Sequence, residues 1–345
     1  MLLLAVSVLH SVLALLGFLF NSFLIGLALL KTPKSIGTYS ILIISKAAAD
    51  AFVCLFDIFS QPRPIPSGLT LGIASTGVCK YLSSWSCFLG YALQLHFYTF
   101  SLHLLVVCFA FRYYVLLERN PKARHLLFVI CLVFFPSFFQ TVFVLIDNNN
   151  PEDVRLLVQI HHPDYDLKGL VMNGHTDLRH FPSVFAYILM LIPVVLSVIL
   201  VHILRRKIHF KLRNAILRPE VRERHRQLTF ALSAQAIIPG AFVVSGLLFL
   251  ISQLKLVESP ILESFTLIPA LLVPIINPIL AVALIRPYRE TILRAVGLDP
   301  KEWSISKDGS VAPGDSSSMF GSFDASSTTS VCSALSISEV KNPFE

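Results

Sequence analysis

Residues 87–111 read CFLGYALQLHFYTFSLHLLVVCFAF, and they include no acid, lysine or arginine. At about 1.5 Å of rise per helical residue, such a run crosses a hydrocarbon core of roughly 30 Å. Comparable apolar runs lie on both sides of it. The full set is 2–30, 39–60, 87–111, 126–146, 184–204, 228–251 and 261–285. The sequence therefore predicts an all-α membrane protein built as a seven-transmembrane helix bundle.

The lysines and arginines between the runs predict how the chain is oriented in the membrane. Alternate loops hold 18 of them on the side of the C-terminus and six on the other side. Because cytoplasmic loops retain positive charge, the N-terminus is predicted outside and the C-terminus inside. The net charge of +7 follows from the same bias. This charge therefore reflects the topology in the lipid bilayer and does not indicate a nucleic acid as partner. The basic loop after the fifth run leaves two partners open, anionic lipid headgroups and an acidic protein.

The composition changes near residue 299, which divides the chain into two predicted parts. Residues 1–298 are the predicted seven-transmembrane domain. Between residues 304 and 338 there are 13 serines and few large apolar side chains. A segment of this kind buries too little apolar surface to fold, so 299–345 is predicted to be a disordered cytoplasmic tail. The tail is either a phosphorylation substrate or a passive extension.

Two features of the outer loops leave alternatives open. Cys79 and Cys87 bracket the outer entrance of the third run, where they either form a disulfide or remain free thiols. In the loop 147–183, His161 and His162 precede two aspartates, which is compatible with a metal site. A solvated loop is the favoured interpretation. We expect no metal and no other cofactor.

Polar residues on three different runs lie at a common depth. Counted from the inner surface, Asn21, Asp50 and Asn277 lie at roughly 14, 16 and 12 Å. Polar groups in hydrocarbon normally face a partner, so we expect one shared cluster inside the bundle. Lys46 precedes Asp50 by one helical turn and can neutralise it. Pro278, directly after Asn277, completes this predicted polar core, which serves as a switch or as a structural support.

The order of these residues resembles the landmarks of rhodopsin-like G-protein-coupled receptors. Asp50 follows three alanines in the second run, Arg112 ends the third run, and Asn277-Pro278 lies in the seventh. Two positions depart from that pattern. Phe111 stands where the wider family has an acid, and Ala281 stands where it has a tyrosine. The loop 147–183 has no cysteine for the usual bridge to the third run.

A closer resemblance is to the nematode serpentine chemoreceptors of class delta, over most of the chain before the serine-rich tail. The segments that carry it are 31–34 with Tyr39, 61–63, 77–81, 87–91, 95–96, 109–114, 274–279 and 286–289. The resemblance implies a chemosensory, olfactory-type receptor that detects a small-molecule odorant or metabolite and signals to a heterotrimeric G protein. It also implies a multi-pass protein in the plasma membrane of sensory neurons, or in their cilia.

A ligand is expected in the outer half of the bundle, where apolar walls carry a few polar groups. The candidate ligand-binding residues are Tyr91, Gln94, Tyr98, Tyr187 and Thr266. On a helix the first three share a side, whereas His96 points away from them. Glu263 is the weakest candidate, because so near the outer surface it can simply face water.

Coupling to the G protein is expected at the inner face. The candidate residues are Arg112, Tyr113, Arg205, Arg206 and Lys207. Without an acid at Phe111, Arg112 should be held by other acceptors or turn towards solvent.

The rival function is an ion- or proton-coupled transporter that uses Lys46, Asp50 and Asp57 as a relay. Against it, the seven runs show no internal repeat of the kind common in transporters. A channel needs a polar stripe along a pore helix, and runs four and six are too apolar to supply one. The sequence shows no metal motif or nucleophile–base set of an enzyme. A receptor is therefore the favoured function.

Overall fold

The computed structural model describes residues 2–32, 37–117, 121–214 and 234–297. The helices are α1 (Leu2–Lys31), α2 (Gly37–Ser60), α3 (Ser84–Val115), α4 (Ala123–Ile146), α5 (Pro151–His161), α6 (Phe181–Asn214), α7 (Ile238–Gln253), α8 (Pro260–Phe265), α9 (Ile268–Leu284) and α10 (Arg286–Ala295). The strands are β1 (Pro62–Ser67), β2 (Thr70–Ser75) and β3 (Val171–His175), and a 3₁₀ helix spans Val78–Tyr81. The predicted tail, 299–345, lies outside the described residues.

Within the described ranges, five helical segments are long and apolar enough to cross a membrane. They are Leu4–Lys31, Ser84–Val115, Ala123–Ile146, Phe181–Arg213 and Pro260–Ala283. Helix α2 contains three charged side chains, and α7 has only 16 residues. Helix α3 lies inside the bundle, with Leu104 and Phe109 fully buried. Helices α4 and α6 instead present large apolar side chains outwards, as lipid-facing helices do.

Two predicted runs differ from the helices that form. The run 261–285 is divided, because α8 ends at Phe265 and α9 begins at Ile268 with Pro269 in its first turn. Proline is favoured in the first turn of a helix because the N–H groups of that turn have no partner within the helix, and proline has no N–H. The run 228–251 becomes α7 only from Ile238, with a turn at residues 236–237, so Pro239 begins that helix and does not interrupt it. Residues 228–233 lie outside the described part of the chain.

A three-stranded antiparallel sheet, in the order β1–β2–β3, forms from the two loops that are predicted to lie outside. Gly68, with φ +67°, turns the two-residue loop between β1 and β2. Prolines at alternate positions of β1 are tolerated because β1 is an edge strand, whose outer N–H groups have no partner. The prediction of an all-α chain is therefore wrong for these two loops. The segment 147–183, predicted to be a solvated loop, forms α5, which keeps one face exposed, and β3, which is mostly buried.

The sheet separates two apolar layers. Leu71 and Ile73 point from β2 to the helix bundle, where they contact Phe88 and Tyr91 of α3. The opposite face of the sheet, which includes Ile65, packs against helix α5. Because successive side chains of a strand point to opposite faces, one short strand supplies both layers. The sheet with α5, here called the outer lid, thus covers the end of the bundle next to the start of α3.

Candidate functional site

A polar cluster forms around Asp50, which is buried. Asn277 donates from Nδ2 to Asp50 Oδ2 at 2.8 Å, and Ser101 donates from Oγ to Oδ1 at 2.5 Å. The ammonium of Lys46 lies 3.3 Å from Oδ2 and donates to Ser101 Oγ at 2.8 Å. The carboxylate thus links α2, α3 and α9, and its charge is balanced within the cluster.

Asn21 contacts the same region in a different way. Its Nδ2 donates to the carbonyl of Gly17 at 2.7 Å and to the carbonyl of Pro274 at 2.6 Å. In a regular helix the Pro274 carbonyl would accept from the N–H of residue 278, but Pro278 has none. Asn21 therefore supplies the missing donor and joins α1 to α9. It does not touch Asp50 in the described contacts, although both line one cavity.

That cavity runs from the polar cluster to Arg112 near the C-terminal end of α3 and has a volume of about 40 Å³. Its polar lining includes Asn21, Lys46, Asp50, Asn277, Tyr39, Arg112 and Gln235. Arg112 donates from Nη1 to Gln235 Oε1 at 2.9 Å and from Nη2 to the hydroxyl of Tyr39. Its guanidinium also lies 5.1 Å from the centre of the Tyr39 ring. Neutral acceptors therefore hold the arginine that has no neighbouring acid.

The five residues expected to bind a ligand fall into separate groups. Tyr91 and Tyr187 pack into the apolar cluster beneath the outer lid. Gln94 and Tyr98 face α2: Gln94 Nε2 donates to Asp57 Oδ1 at 2.8 Å, and Tyr98 contacts Val53. Thr266 is buried at the break between α8 and α9 and donates to the carbonyl of Leu262.

His96 lies on another side of α3, among Phe97, Phe100 and Phe134. Asp57, assigned to an ion relay in the transporter alternative, lies two turns from Asp50. Besides Gln94, it contacts His10 of α1, with 3.3 Å between Oδ2 and Nδ1.

Several polar contacts of the outer lid were not predicted. Glu263, the weakest of the candidate ligand residues, is buried and does not face water. Its Oε2 lies 3.2 Å from Nε of Arg63 in β1, and its Oε1 accepts from the hydroxyl of Tyr165 at 3.0 Å. Burial, reinforced by the Glu263 carboxylate, raises the pKa of Tyr165. These contacts fasten the outer lid to α8.

Cys79 and Cys87 form a disulfide, with their Cα atoms 5.0 Å apart. The bond joins the 3₁₀ helix to the first turn of α3. The histidines of the second outer loop are part of the lid: His162 contacts the Pro66 carbonyl at 3.0 Å, and His161 contacts the Leu157 carbonyl at 2.9 Å. Within the described ranges, no cluster of three or more potential ligands could hold a metal ion.

The C-terminal ends of α3 and α6 carry the residues that are expected to meet a G protein. Helix α6 continues to Asn214, ten residues past the predicted run, and so presents its basic residues on a helix. Arg206 and Lys207 are exposed, and Arg205 is half-buried. The ammonium of Lys207 lies 5.9 Å from the centre of the Tyr113 ring. Arg112 lies one residue before Tyr113, but it points into the bundle cavity.

Comparison with known proteins gives the family. The family model described as "Serpentine type 7TM GPCR chemoreceptor Srd" matches residues 6–294. Serpentine receptor class delta-18 of Caenorhabditis elegans is 34% identical over 291 residues, which cover 82% of this chain and 86% of that protein. Serpentine receptor class delta-1 of the same nematode is 29% identical over 288 residues, or 81% and 78% of the two chains. This chain belongs to the Srd family of serpentine seven-transmembrane chemoreceptors, as the sequence resemblance predicted.

Proposed function

We propose that this chain is a rhodopsin-like chemosensory G-protein-coupled receptor that detects a small odorant or metabolite. Its N-terminus lies outside and its C-terminus inside, and it works in the plasma membrane of sensory neurons or their cilia. The observation that carries this proposal is the cavity shared by Asp50, Asn277 and Arg112. It connects the polar core of the bundle with the arginine at the inner face, the two regions that a signal must link.

The ligand is proposed to bind in the outer half of α3. Oε1 of Gln94 and the hydroxyl of Tyr98 are buried, and within the described ranges neither has a hydrogen-bond partner beyond the other of these two side chains. Each oxygen therefore keeps the capacity for a further hydrogen bond, which favours a ligand with a hydrogen-bonding group. Tyr91 and Tyr187, with Phe88, supply an apolar wall. Such a mixture suits a small, mostly apolar molecule with one polar end.

Signalling is proposed to proceed by a shift between two states. An agonist can shift the equilibrium only by as much as its affinity differs between them. The bond from Arg112 to Gln235 joins α3 to the residues just before α7. A state that admits a G protein beside Arg112, Tyr113 and the basic end of α6 would break this bond.

Screening in a reporter cell line tests the proposal. The full chain, with an epitope at residue 1, is expressed with a calcium or cyclic-nucleotide reporter and exposed to volatiles and small metabolites. Labelling in intact cells is expected, and labelling only after permeabilisation would contradict the topology. For an agonist so found, Tyr91→Ala, Gln94→Ala and Tyr98→Ala should each raise the half-maximal concentration about tenfold, the loss of one good contact. His103→Ala is the matched control, because His103 faces α4 and its Nδ1 already contacts the Val133 carbonyl at 3.1 Å. Wild-type potency in all three variants would place the site elsewhere.

A further inference from the structure

A groove opens at the inner ends of α3 and α6. It is lined by Tyr113, Arg206, Lys207, Phe210 and Lys211, and its volume is about 330 Å³. That volume is within the range of small-ligand sites. Because residues one, four and five apart lie on neighbouring ridges of a helix, α6 presents Arg206, Lys207, Phe210 and Lys211 together. Neither α3 nor α6 contains an acidic residue, so both helices leave the groove positively charged.

The depth of the groove coincides with the lipid headgroups. The apolar part of α6 ends at Leu204, and Arg206 to Lys211 follow within roughly 3–10 Å along the helix axis. A bilayer extends about 5–8 Å beyond its hydrocarbon core on each side, which is the layer of phosphates. The three cations of the groove therefore lie at the level of phosphate groups. A cytoplasmic loop would have carried them further from the membrane.

The side chains of the groove are suited to a clustered anion with an apolar tail. The guanidinium of Arg206 can form paired hydrogen bonds to a phosphate, and Lys207 and Lys211 supply point charges. The Tyr113 ring lies beside the Lys207 ammonium. Phe210, 67% exposed among these cations, offers an apolar contact at the boundary with the acyl chains.

We propose that this groove binds the headgroup of a phosphoinositide from the inner leaflet. Several phosphates on one ring match three cations converging on one groove, whereas a singly charged headgroup would engage only one of them. The inference rests on the proposed orientation, which puts this end of the bundle in the cytoplasm. It does not depend on the odorant or on G-protein coupling. A bound headgroup would brace α6 against Tyr113, and it would share Tyr113, Arg206 and Lys207 with the proposed coupling face.

Binding of fluorescent phosphatidylinositol 4,5-bisphosphate to the purified full chain in phosphatidylcholine nanodiscs tests the proposal. Nanodiscs expose both leaflets, so a wrong orientation would not abolish binding and is detected separately by the epitope at residue 1. Arg206→Gln/Lys207→Gln should weaken binding roughly 30-fold, at about 1 kcal/mol for each cation. Lys122→Gln/Arg124→Gln removes two exposed cations from the same side, at the start of α4, and should change affinity less than twofold.

Competition experiments identify the source of the anion. Unlabelled phosphatidylinositol 4,5-bisphosphate should displace the probe far better than phosphatidylserine at equal total charge. Soluble inositol 1,4,5-trisphosphate should compete weakly, because it lacks the acyl chains that reach Phe210. Equal loss of binding in both double variants, or equal competition by phosphatidylserine, would overturn the proposal in favour of diffuse charge attraction. If inositol trisphosphate competed as strongly as the lipid, the groove would bind a soluble polyphosphate and the proposed lipid ligand would be wrong.

Discussion

Asn277 of α9 donates a hydrogen bond to the buried carboxylate of Asp50 on α2, with 2.8 Å between Nδ2 and Oδ2. The same carboxylate accepts a hydrogen bond from the hydroxyl of Ser101 in α3 and lies beside the ammonium of Lys46. A buried ion pair stabilises a fold only weakly as a whole, but removing one member leaves the other charge without compensation. The Asp50 cluster is therefore sensitive to changes in its charge balance, more than to the loss of a single neutral bond.

Asp50→Leu should destabilise the protein by roughly 3–5 kcal/mol, because Lys46 then lacks its anion inside the bundle. Asp50→Asn keeps hydrogen-bonding atoms and should also cost stability, but less. The measurement is thermal unfolding in detergent, together with surface delivery in cells. Lys46→Met/Asp50→Leu, which removes both charges, should recover most of the loss. Equal losses in the single and double variants would contradict the role of charge balance.

The contacts of Arg112 predict an effect on signalling in the absence of agonist. Gln235→Ala should raise basal reporter activity up to about tenfold, because a hydrogen bond to a charged group contributes roughly 1.5 kcal/mol to the bonded state. Tyr39→Phe, which removes the other acceptor, should act in the same direction. Arg112→Ala should reduce agonist-driven signalling while surface delivery stays largely intact. Unchanged signalling in all three variants would exclude a role of this network in coupling.

The disulfide between Cys79 and Cys87 predicts a defined loss of stability. It closes a loop with a sequence separation of eight, for which chain entropy gives about 2.5 kcal/mol. Cys79→Ser/Cys87→Ser should lower the unfolding temperature accordingly, and so should reduction of the wild type. Cys131→Ser, at an exposed free cysteine on α4, is the control. If a reducing agent also lowers the unfolding temperature of the double variant, the effect of reduction does not come from this disulfide.

The polar core could be located from the sequence, because depth in a membrane follows from counting residues along a helix. That argument predicted a similar depth for Asp50 and Asn277, and their side chains form a hydrogen bond. It could not say that Asn21 bonds the Pro274 carbonyl. That contact depends on a missing N–H one turn later and on how α1 is rotated. The ligand residues show the same limit: helical spacing grouped Tyr91 with Gln94 and Tyr98, but tertiary packing separates Tyr91 from the other two.

The outer lid was not predicted, because its pairing is non-local. Local signals were present, since Leu71 and Ile73 alternate with smaller residues after Gly68 in a hairpin-like pattern. The third strand comes about a hundred residues later, and nothing near Val171–His175 indicates its partner. For the same reason Glu263 could not be paired from the sequence with Arg63, which belongs to another loop.

The pair of Arg63 and Glu263 predicts a change in the outer lid. Glu263→Gln should keep an acceptor for Tyr165 but leave the guanidinium of Arg63 without its anion. We expect a loss of roughly 2–4 kcal/mol and faster hydrogen exchange in β1. The control is Asp177→Asn. Hydrogen bonds from the exposed Arg179 lower the pKa of Asp177 to about 2. Because an exposed ion pair contributes little to stability, this variant should hardly change hydrogen exchange in β1. Equal exchange of β1 in wild type and Glu263→Gln would show that the pair does not hold the lid.

The last prediction concerns acid, through His175 of β3. Its Nδ1 contacts the Asp147 carbonyl at 2.8 Å, and its ring packs between Phe88 and Tyr187. Burial lowers the pKa of His175 below its ordinary value of 6.5, although the Asp147 carboxylate, 3.5 Å away, opposes this.

Below about pH 6.5, His175 binds a proton in the unfolded chain, whereas burial opposes its protonation in the folded chain. Acid should therefore reduce the stability of the folded state. Between about pH 7.5 and pH 5.5, His175 should contribute a fall of a few degrees in the unfolding temperature, measured as the difference between wild type and His175→Asn. In His175→Asn, which can still donate to the Asp147 carbonyl, this fall should be smaller. The control is His180→Asn, because His180 also faces Asp147 but is exposed. This variant should keep most of the fall in unfolding temperature. A fall as large in His175→Asn as in the wild type would assign the acid sensitivity to another group.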